Sequence, residues 1–420
     1  MSNSQMSNAL TCRKRIGIIS LGYGWLPGEP GPSRFYYVAQ LFAEAGWDVD
    51  FVMSSFQHFE KKQKDEAKLR QGDYPFKLTF IHQPSYKLNI GLGRILSNRV
   101  AARNLKKYLE TVDYDLIYCS MPDNQVAMVA AKAAEAKGIP FIADVEDLWP
   151  EALSMVIRWD PLKKLIFPYF ERPAEECYKR ASAVIGTSED YTQRAVKNGS
   201  ARADVKLETV YVGCDLDAFD QGVKEHLDTI SKAESEWWLT YTGNLGKSYH
   251  LETLLEAAEL LKDDENLKIK ILGTGVMEEK LQAMKAEKGL DNVEFLGYQP
   301  YPYMAAYLVK SDAALNSFRK NAPQSIVNKV GDYLASGHPM INTLENPVFC
   351  ELVNFYECGL NVPAEDAKAL AEAVLGLKNH PEESERMGRN ARKLAEEEFD
   401  RPRAYARILE IAEELTAAKA

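Results

Sequence analysis

The chain twice repeats one local pattern, an apolar run of strand length, a glycine-bearing turn and an amphipathic helix, and this repetition limits what it can fold into. The first copy starts at Arg15 to Leu21 and passes through the glycine- and proline-rich stretch from Gly22 to Arg34. It then enters a helix with Phe35, Val38, Leu41, Phe42 and Ala45 on one face, closed by Gly46. Trp47 to Ser54 reads as the next strand. The second copy restarts at Trp237 to Thr242, turns at Gly243 to Gly246, and places Leu251, Leu254, Leu255, Ala258 and Leu261 on one helical face. Units of this kind make parallel sheets with right-handed crossovers, which predicts an α/β protein. A chain of 420 residues exceeds one typical core. Two domains are therefore expected, residues 1–220 and 221–399, with the polar stretch from Asp220 to Glu236 as the tail of a linker.

Composition excludes several classes. A net charge of −10 argues against nucleic acid as a partner, because phosphate backbones reward a basic surface. The six cysteines form no CxxC and no dense framework, which predicts reduced thiols in a cytoplasm and neither a metal nor a catalytic role for them. No run approaches the ~20 apolar residues of a membrane span, and the N-terminus reads as a polar tail before a first strand. A GxGxxG counted from Gly22 would need glycine at 27, where Pro27 stands, so dinucleotide binding is not expected. The DxD strings at Asp48/Asp50, Asp113/Asp115 and Asp215/Asp217 are discounted as metal sites, since an acidic chain produces such strings by chance.

Three stretches carry candidate chemistry. In Ser325 to Asn342, Val327, Val330, Tyr333 and Leu334 share a helical face, and Gly337 with Pro339 ends the helix before the apolar Met340 and Ile341. Lys329 and Asp332 lie three apart near that helix's start, where unpaired amides favour a phosphorylated ligand; the plain alternative is an i,i+3 surface ion pair. Asp144, Glu146 and Asp147 follow a strand, at the end where α/β sheets place ligands, or serve as a helix cap with ordinary surface acids. Residues 86–110 carry Lys87, Arg94, Arg99, Arg103, Lys106 and Lys107 between apolar positions, and read either as a helix lying on an anionic membrane or as a solvated outer helix. The polar stretch from Ser54 to Tyr74 reads as a surface loop or a loosely packed surface helix, with His58 incidental to it.

At the residue level the chain resembles glycosyltransferase family 4, in particular the subgroup that builds bacterial surface polysaccharides. The resemblance rests on Tyr241 to Gly246, Gly273 to Gly275, Asn328 to Pro339, Glu351 to Val353 with Gly359, Leu360 and Asp366 to Ala373, Asp144 to Pro150, and Ser55 to His58. It implies the GT-B fold, two Rossmann-like domains facing across a cleft, with the closing helix at about 400–420 returning to the first. It implies a retaining transfer from a nucleotide-diphosphate sugar, a UDP-sugar in the first instance, to a saccharide or polyprenyl-linked acceptor, without a metal. The cysteine usage predicts a cytoplasmic enzyme, and the bases of 86–110 leave peripheral contact with an anionic membrane open beside the solvated-helix reading.

Carried onto this chain, the resemblance gives Lys247 and Lys329 to the donor diphosphate and Asp332 to the ribose hydroxyls. Gly31, Arg34, Gly243, Asn244, Gly246, Gly275, Gln324 and Ser325 complete the donor side. Asp144, Asp147 and His58 fall on the acceptor side. Gln324 stands where the family has its first glutamate, and Glu146 where it often has a histidine near the anomeric carbon. Those two departures keep open a non-catalytic scaffold of the same fold, and a nucleotide-sugar epimerase is the other reading this fold allows.

Overall fold

The computed structural model describes residues 13–27, 29, 34–89, 91–151, 159–197 and 200–417. The chain forms two compact units, Met1–Thr209 with Tyr405–Ala420, and Val210–Ala404.

In the first unit β1 (Arg15–Ser20), β2 (Asp48–Ser54), β5 (Lys77–Ile81), β6 (Leu116–Met121), β7 (Phe141–Val145), β8 (Ala183–Gly186) and β9 (Lys206–Thr209) form one parallel sheet. Their order is β5-β2-β1-β6-β7-β8-β9, so the direction of growth reverses between β1 and β6. Helices α1 (Arg34–Glu44), α3 (Leu92–Leu109), α4 (Asn124–Lys137), α5 (Asp160–Tyr178) and α6 (Glu189–Lys197) connect the strands. β1 is buried from Ile16 to Ser20, as a parallel strand covered on both faces must be. Ile19, Val52, Ile117, Ala130 and Phe141 belong to one continuous core. α4 is bounded by chemistry that the sequence encodes locally. The Asp123 carboxylate accepts from Gln125 N at 2.8 Å and Val126 N at 3.2 Å, and Gly138 ends the helix at φ 63°.

The stretch after Ser54 is not an exposed loop. β3 (Phe56–Gln57) and β4 (Lys62–Gln63) pair as a small hairpin, followed by the single turn α2 (Glu66–Leu69), and Ser55, Phe56 and Gln57 are buried. Most of their polar groups are paired: Ser54 Oγ donates to Gln83 Oε1 at 2.7 Å, Gln83 N to Ser55 Oγ at 3.1 Å, and Phe59 N to Gln57 Oε1 at 3.0 Å, while Gln57 Nε2 is buried with no partner among the described residues. Polarity alone therefore misjudged this segment's burial.

In the second unit β10 (Trp237–Thr242), β11 (Leu267–Leu272), β12 (Val293–Gly297), β13 (Ala313–Asn316), β14 (Met340–Asn342) and β15 (Gly359–Asn361) form a parallel sheet of order β12-β11-β10-β13-β14-β15. The same reversal now falls between β10 and β13. Its helices are α7 (Leu216–His226), α8 (Glu252–Leu260), α9 (Glu278–Lys288), α10 (Tyr301–Lys310), α11 (Lys329–Ala335), α12 (Pro347–Phe355), α13 (Ala367–Asn379) and α14 (Pro381–Leu394). The linker expected after Asp220 is instead α7, which Asp215 caps by accepting from Ala218 N at 2.9 Å and which buries Leu216 and Phe219. The closing helix α15 (Arg401–Ala417) joins the first unit from Tyr405 onward. There Arg407 meets Glu208 at 3.4 Å and Lys14 donates to Thr416 at 2.9 Å.

Candidate active site

In open α/β sheets the crevice for a ligand lies beyond the strand ends where the order reverses. Each unit has its own such crevice, and the sequence-nominated residues divide between them.

In the second unit the crevice lies at the ends of β10 and β13. Beyond Thr242 the chain turns at Gly243, whose φ of 131° suits glycine. The neighbouring turn presses against it so closely that a Cβ on Gly273 would lie 1.8 Å from Gly243 O, and one on Gly275 2.6 Å from Leu245 O. Tyr333, from α11, holds the strand end from below: its hydroxyl accepts from Thr242 N and donates to Thr242 O, both at 3.0 Å. Lys329 extends over this platform. Its Nζ lies 4.1 Å from the Tyr241 ring, 4.6 Å from Tyr249, 5.6 Å from Phe318 and 5.8 Å from Tyr333.

The Lys329 ammonium is enclosed and has no hydrogen-bond partner among the described residues. Burial, which disfavours the charged form, lowers its pKa to about 7. Aromatic faces attract a cation but do not accept its hydrogen bonds in full, so the group is poised for an anion.

The i,i+3 ion pair does not form. Asp332 instead accepts from the Tyr301 hydroxyl at 2.8 Å, and burial raises its carboxyl to about 6 against the opposing pull of Tyr301 and Arg401. The helix expected from Ser325 begins only at Lys329 and spans 7 residues, so its amides supply no extended anion site. Ser325 is buried in the loop before it, and the nearby Gln324 Oε1 is buried without a partner. Asn244 and Lys247 are exposed on the glycine turn, and Gly246 is half-buried there.

In the first unit two of the nominated groups point inward. Arg34 is 4% exposed, donates from Nε to Asp144 Oδ2 at 2.7 Å, and stacks on the Tyr405 ring at 4.8 Å. Asp144 is wholly buried and also accepts from the Tyr118 hydroxyl. The two charges meet inside the unit, both buried. Glu146 Oε1 lies 3.4 Å from Arg34 Nε, an ionic approach without hydrogen-bond geometry. Burial, followed by the Asp144 charge, pushes the Glu146 carboxyl well above its ordinary range. Gly31 lies outside the described residues.

Asp147 and His58 do come together. Both line a cavity of about 160 Å³ at the reversal of the first sheet, with Gly22 and Tyr23 from beyond β1 and Pro122 and Asp123 from beyond β6. Burial and the charges of Arg94 and Lys61 lower His58 to about 4, and Asp147 accepts from Trp149 Nε1 at 3.0 Å. Sequence reasoning missed the walls: Tyr249 and Phe318 around Lys329, Tyr301 on Asp332, and Arg94 and Asp123 at the cavity of the first unit. For Asp123 a signal existed, a polar residue two positions beyond the end of strand β6.

Two family models match the chain in succession: Glycosyltransferase Family 4 over residues 33–218 and Glycosyl transferases group 1 over residues 223–394. The fold is GT-B, built of two Rossmann-like domains. Sucrose-phosphate synthase from Thermosynechococcus elongatus matches with a TM-score of 0.69 and 17% identity, over 97% of this chain and 100% of that one. Anabaena Alr3699/HepE in complex with UDP matches at 0.68 and 16%, over 96% and 100%. The chain belongs to glycosyltransferase family 4 and is a glycosyltransferase. Among curated relatives, WcaI of Escherichia coli, named for colanic acid biosynthesis, is 32% identical over 108 residues, covering 26% of each chain. EpsD of Bacillus subtilis, named as a glycosyltransferase, is 22% identical over 364 residues, covering 84% of this chain and 86% of the relative.

Proposed function

We propose that this enzyme moves a sugar from a nucleoside diphosphate donor, a UDP-sugar first, to a saccharide or lipid-linked acceptor in bacterial surface-polysaccharide synthesis, with retention at the anomeric carbon. The observation that carries the reading is the enclosed ammonium of Lys329, without an anion, at the crevice of the second sheet. A structure of the same fold holds UDP, and a relative is named for colanic acid biosynthesis.

In the transfer, the acceptor hydroxyl oxygen bonds to the anomeric carbon as the bond from that carbon to the phosphate oxygen breaks. The electron pair stays on the diphosphate, which takes up the hydroxyl proton on the same face. Negative charge grows on the leaving group, and Lys329 with the exposed Lys247 meets it in place of a metal ion. Asp332 accepts from the ribose hydroxyls. Burial favours the protonated form of Glu146, which makes its carboxyl a hydrogen-bond donor.

Calorimetry with UDP, GDP, CDP and dTDP in the presence of a chelator tests the reading. One of these is expected to bind and to raise the melting temperature, and binding by none removes it. Turnover of a UDP-sugar without any acceptor would mark an epimerase. Asp332→Asn is expected to weaken UDP binding at least ~10-fold, since hydrogen bonds to a charged group contribute about 1.5–3 kcal/mol. An unchanged affinity would take the ribose away from Asp332.

The membrane contact rests on α3, where Arg99 and Arg103 are exposed. The double reversal Arg99→Glu with Arg103→Glu is expected to abolish co-sedimentation with phosphatidylglycerol vesicles. Undiminished binding would leave α3 a plain outer helix.

A further inference from the structure

His58 sits in the turn between β3 and β4, and its ring lines the cavity of about 160 Å³ at the reversal of the first sheet. The two ring nitrogens meet different surroundings. Nδ1 lies 2.5 Å from the Tyr86 hydroxyl and 3.3 Å from the Lys61 ammonium. Lys61 is tied to that place by donating to the carbonyl of His58 itself, and its Nζ lies 5.0 Å over the Tyr86 ring. Tyr86 is buried and packs on Phe56 at 4.7 Å between ring centres. Nε2 has no hydrogen-bond partner among the described residues, and it belongs to a ring on the cavity wall.

The donor inventory decides which nitrogen carries the proton. Burial and the charges of Arg94 and Lys61 lower His58 to about 4, so near pH 7 the ring is neutral and has one N–H. Burial pushes the Tyr86 phenol up, so its proton stays available to donate. An ammonium donates and never accepts, and beside Nδ1 it disfavours a proton on that nitrogen. Tyr86 therefore donates to the Nδ1 lone pair, and the imidazole N–H belongs to Nε2. Gln83, Asn98 and Asp123 line the same cavity, and their bonds run one way. Ser54 Oγ donates to Gln83 Oε1 at 2.7 Å, Gln83 Nε2 to Asn98 Oδ1 at 2.9 Å, and Asn98 Nδ2 to the Asp123 carboxylate. That chain closes on itself within the wall, whereas the His58 N–H has found no acceptor.

We propose that Tyr86 and Lys61 are positioning residues that lock His58 in its Nε2–H tautomer, a donor that holds a lone-pair oxygen of the substrate in this cavity and takes no proton from it. A locked donor reads a hydroxyl, ether or carbonyl oxygen and turns away a group that only donates, such as an ammonium. With Nδ1 engaged by Tyr86, the imidazole keeps no lone pair to serve as a general base. The proton of an attacking hydroxyl is then left to the departing diphosphate. This proposal rests on the glycosyl-transfer reading for the nature of the substrate and adds the roles of three residues in the first unit.

Long-range proton–nitrogen NMR of the full chain with labelled histidines, at pH 7, tests it, and His58→Gln identifies the His58 signals. The wild type is expected to carry the His58 proton on Nε2 alone. Tyr86→Phe and Lys61→Met are each expected to populate the Nδ1–H form. In Tyr86→Phe, His58 is expected to react with diethyl pyrocarbonate at least ~5-fold faster, the scale of one hydrogen bond on the lone pair which that reagent attacks. Glucose, galactose and mannose, added singly as probes, are expected between them to shift the His58 Nε2 resonance and to leave the exposed His82 and His380 unmoved. A histidine that is merely packed would answer to none of these. A wild-type proton on Nδ1, a tautomer unaltered in both variants, or a His58 signal that no sugar moves overturns the proposal. If UDP binds and His58 ignores the sugars, this inference alone falls; if no nucleoside diphosphate binds, the reading beneath it falls while the tautomer stands.

Discussion

Replacing Lys329 with methionine lowers kcat/KM by at least ~100-fold, the scale for removing one preorganised group from developing negative charge. Methionine keeps an unbranched apolar side chain, one atom shorter, among the rings of Tyr241, Tyr249, Phe318 and Tyr333 and removes the charge. The ligand-free variant is expected to melt no lower than the wild type, because an enclosed ammonium without an anion opposes folding. The two outcomes separate roles that a bare activity loss would confuse. A lysine needed for packing would lower the melting temperature along with turnover, and full activity in the variant would remove Lys329 from the diphosphate.

The second large effect is on pH. With no ligand Lys329 loses its proton near pH 7, and a bound diphosphate restores the ordinary ammonium. UDP affinity therefore falls as pH rises above about 7, by up to ~10-fold per unit, because binding must then take up a proton. Stability of the ligand-free protein runs the other way. Between about pH 7 and the ordinary lysine value the unfolded chain holds a proton that the folded chain has shed, so this group's unfavourable contribution shrinks as pH rises. Calorimetry from pH 7 to 9, in buffers of different ionisation enthalpy, reads both affinity and proton uptake. A flat affinity over that range in the wild type, or the same slope in Lys329→Met, defeats the assignment.

The fold was legible because its signals are local and periodic. The runs at Arg15 and Trp237, each followed by glycine and an amphipathic helix, mark both sheets without reference to anything distant. The site was legible where it, too, is local. Gly243 to Lys247 and Lys329 to Asp332 are short strings, and both lie where the second sheet reverses. What could not be read was long-range pairing. Arg34 and Asp144 look available as separate letters, but 110 residues apart in sequence they meet at 2.7 Å. The aromatic enclosure of Lys329 draws its rings from β10, from the turn at Tyr249, from beyond β13 and from α11, and no window of sequence contains it. The burial of Ser55 was hidden for a related reason, since its hydroxyl finds its partner in a segment 28 residues away.

The Tyr333 hydroxyl grips Thr242 by both its amide and its carbonyl, one turn along α11 from the lysine that overhangs the same strand end. Cation and glycine turn are thereby yoked, and neither can drift without dragging the other. Under the proposed reading, selection among donors falls to groups outside this tether, while Lys329 keeps one place over the strand end whichever sugar arrives.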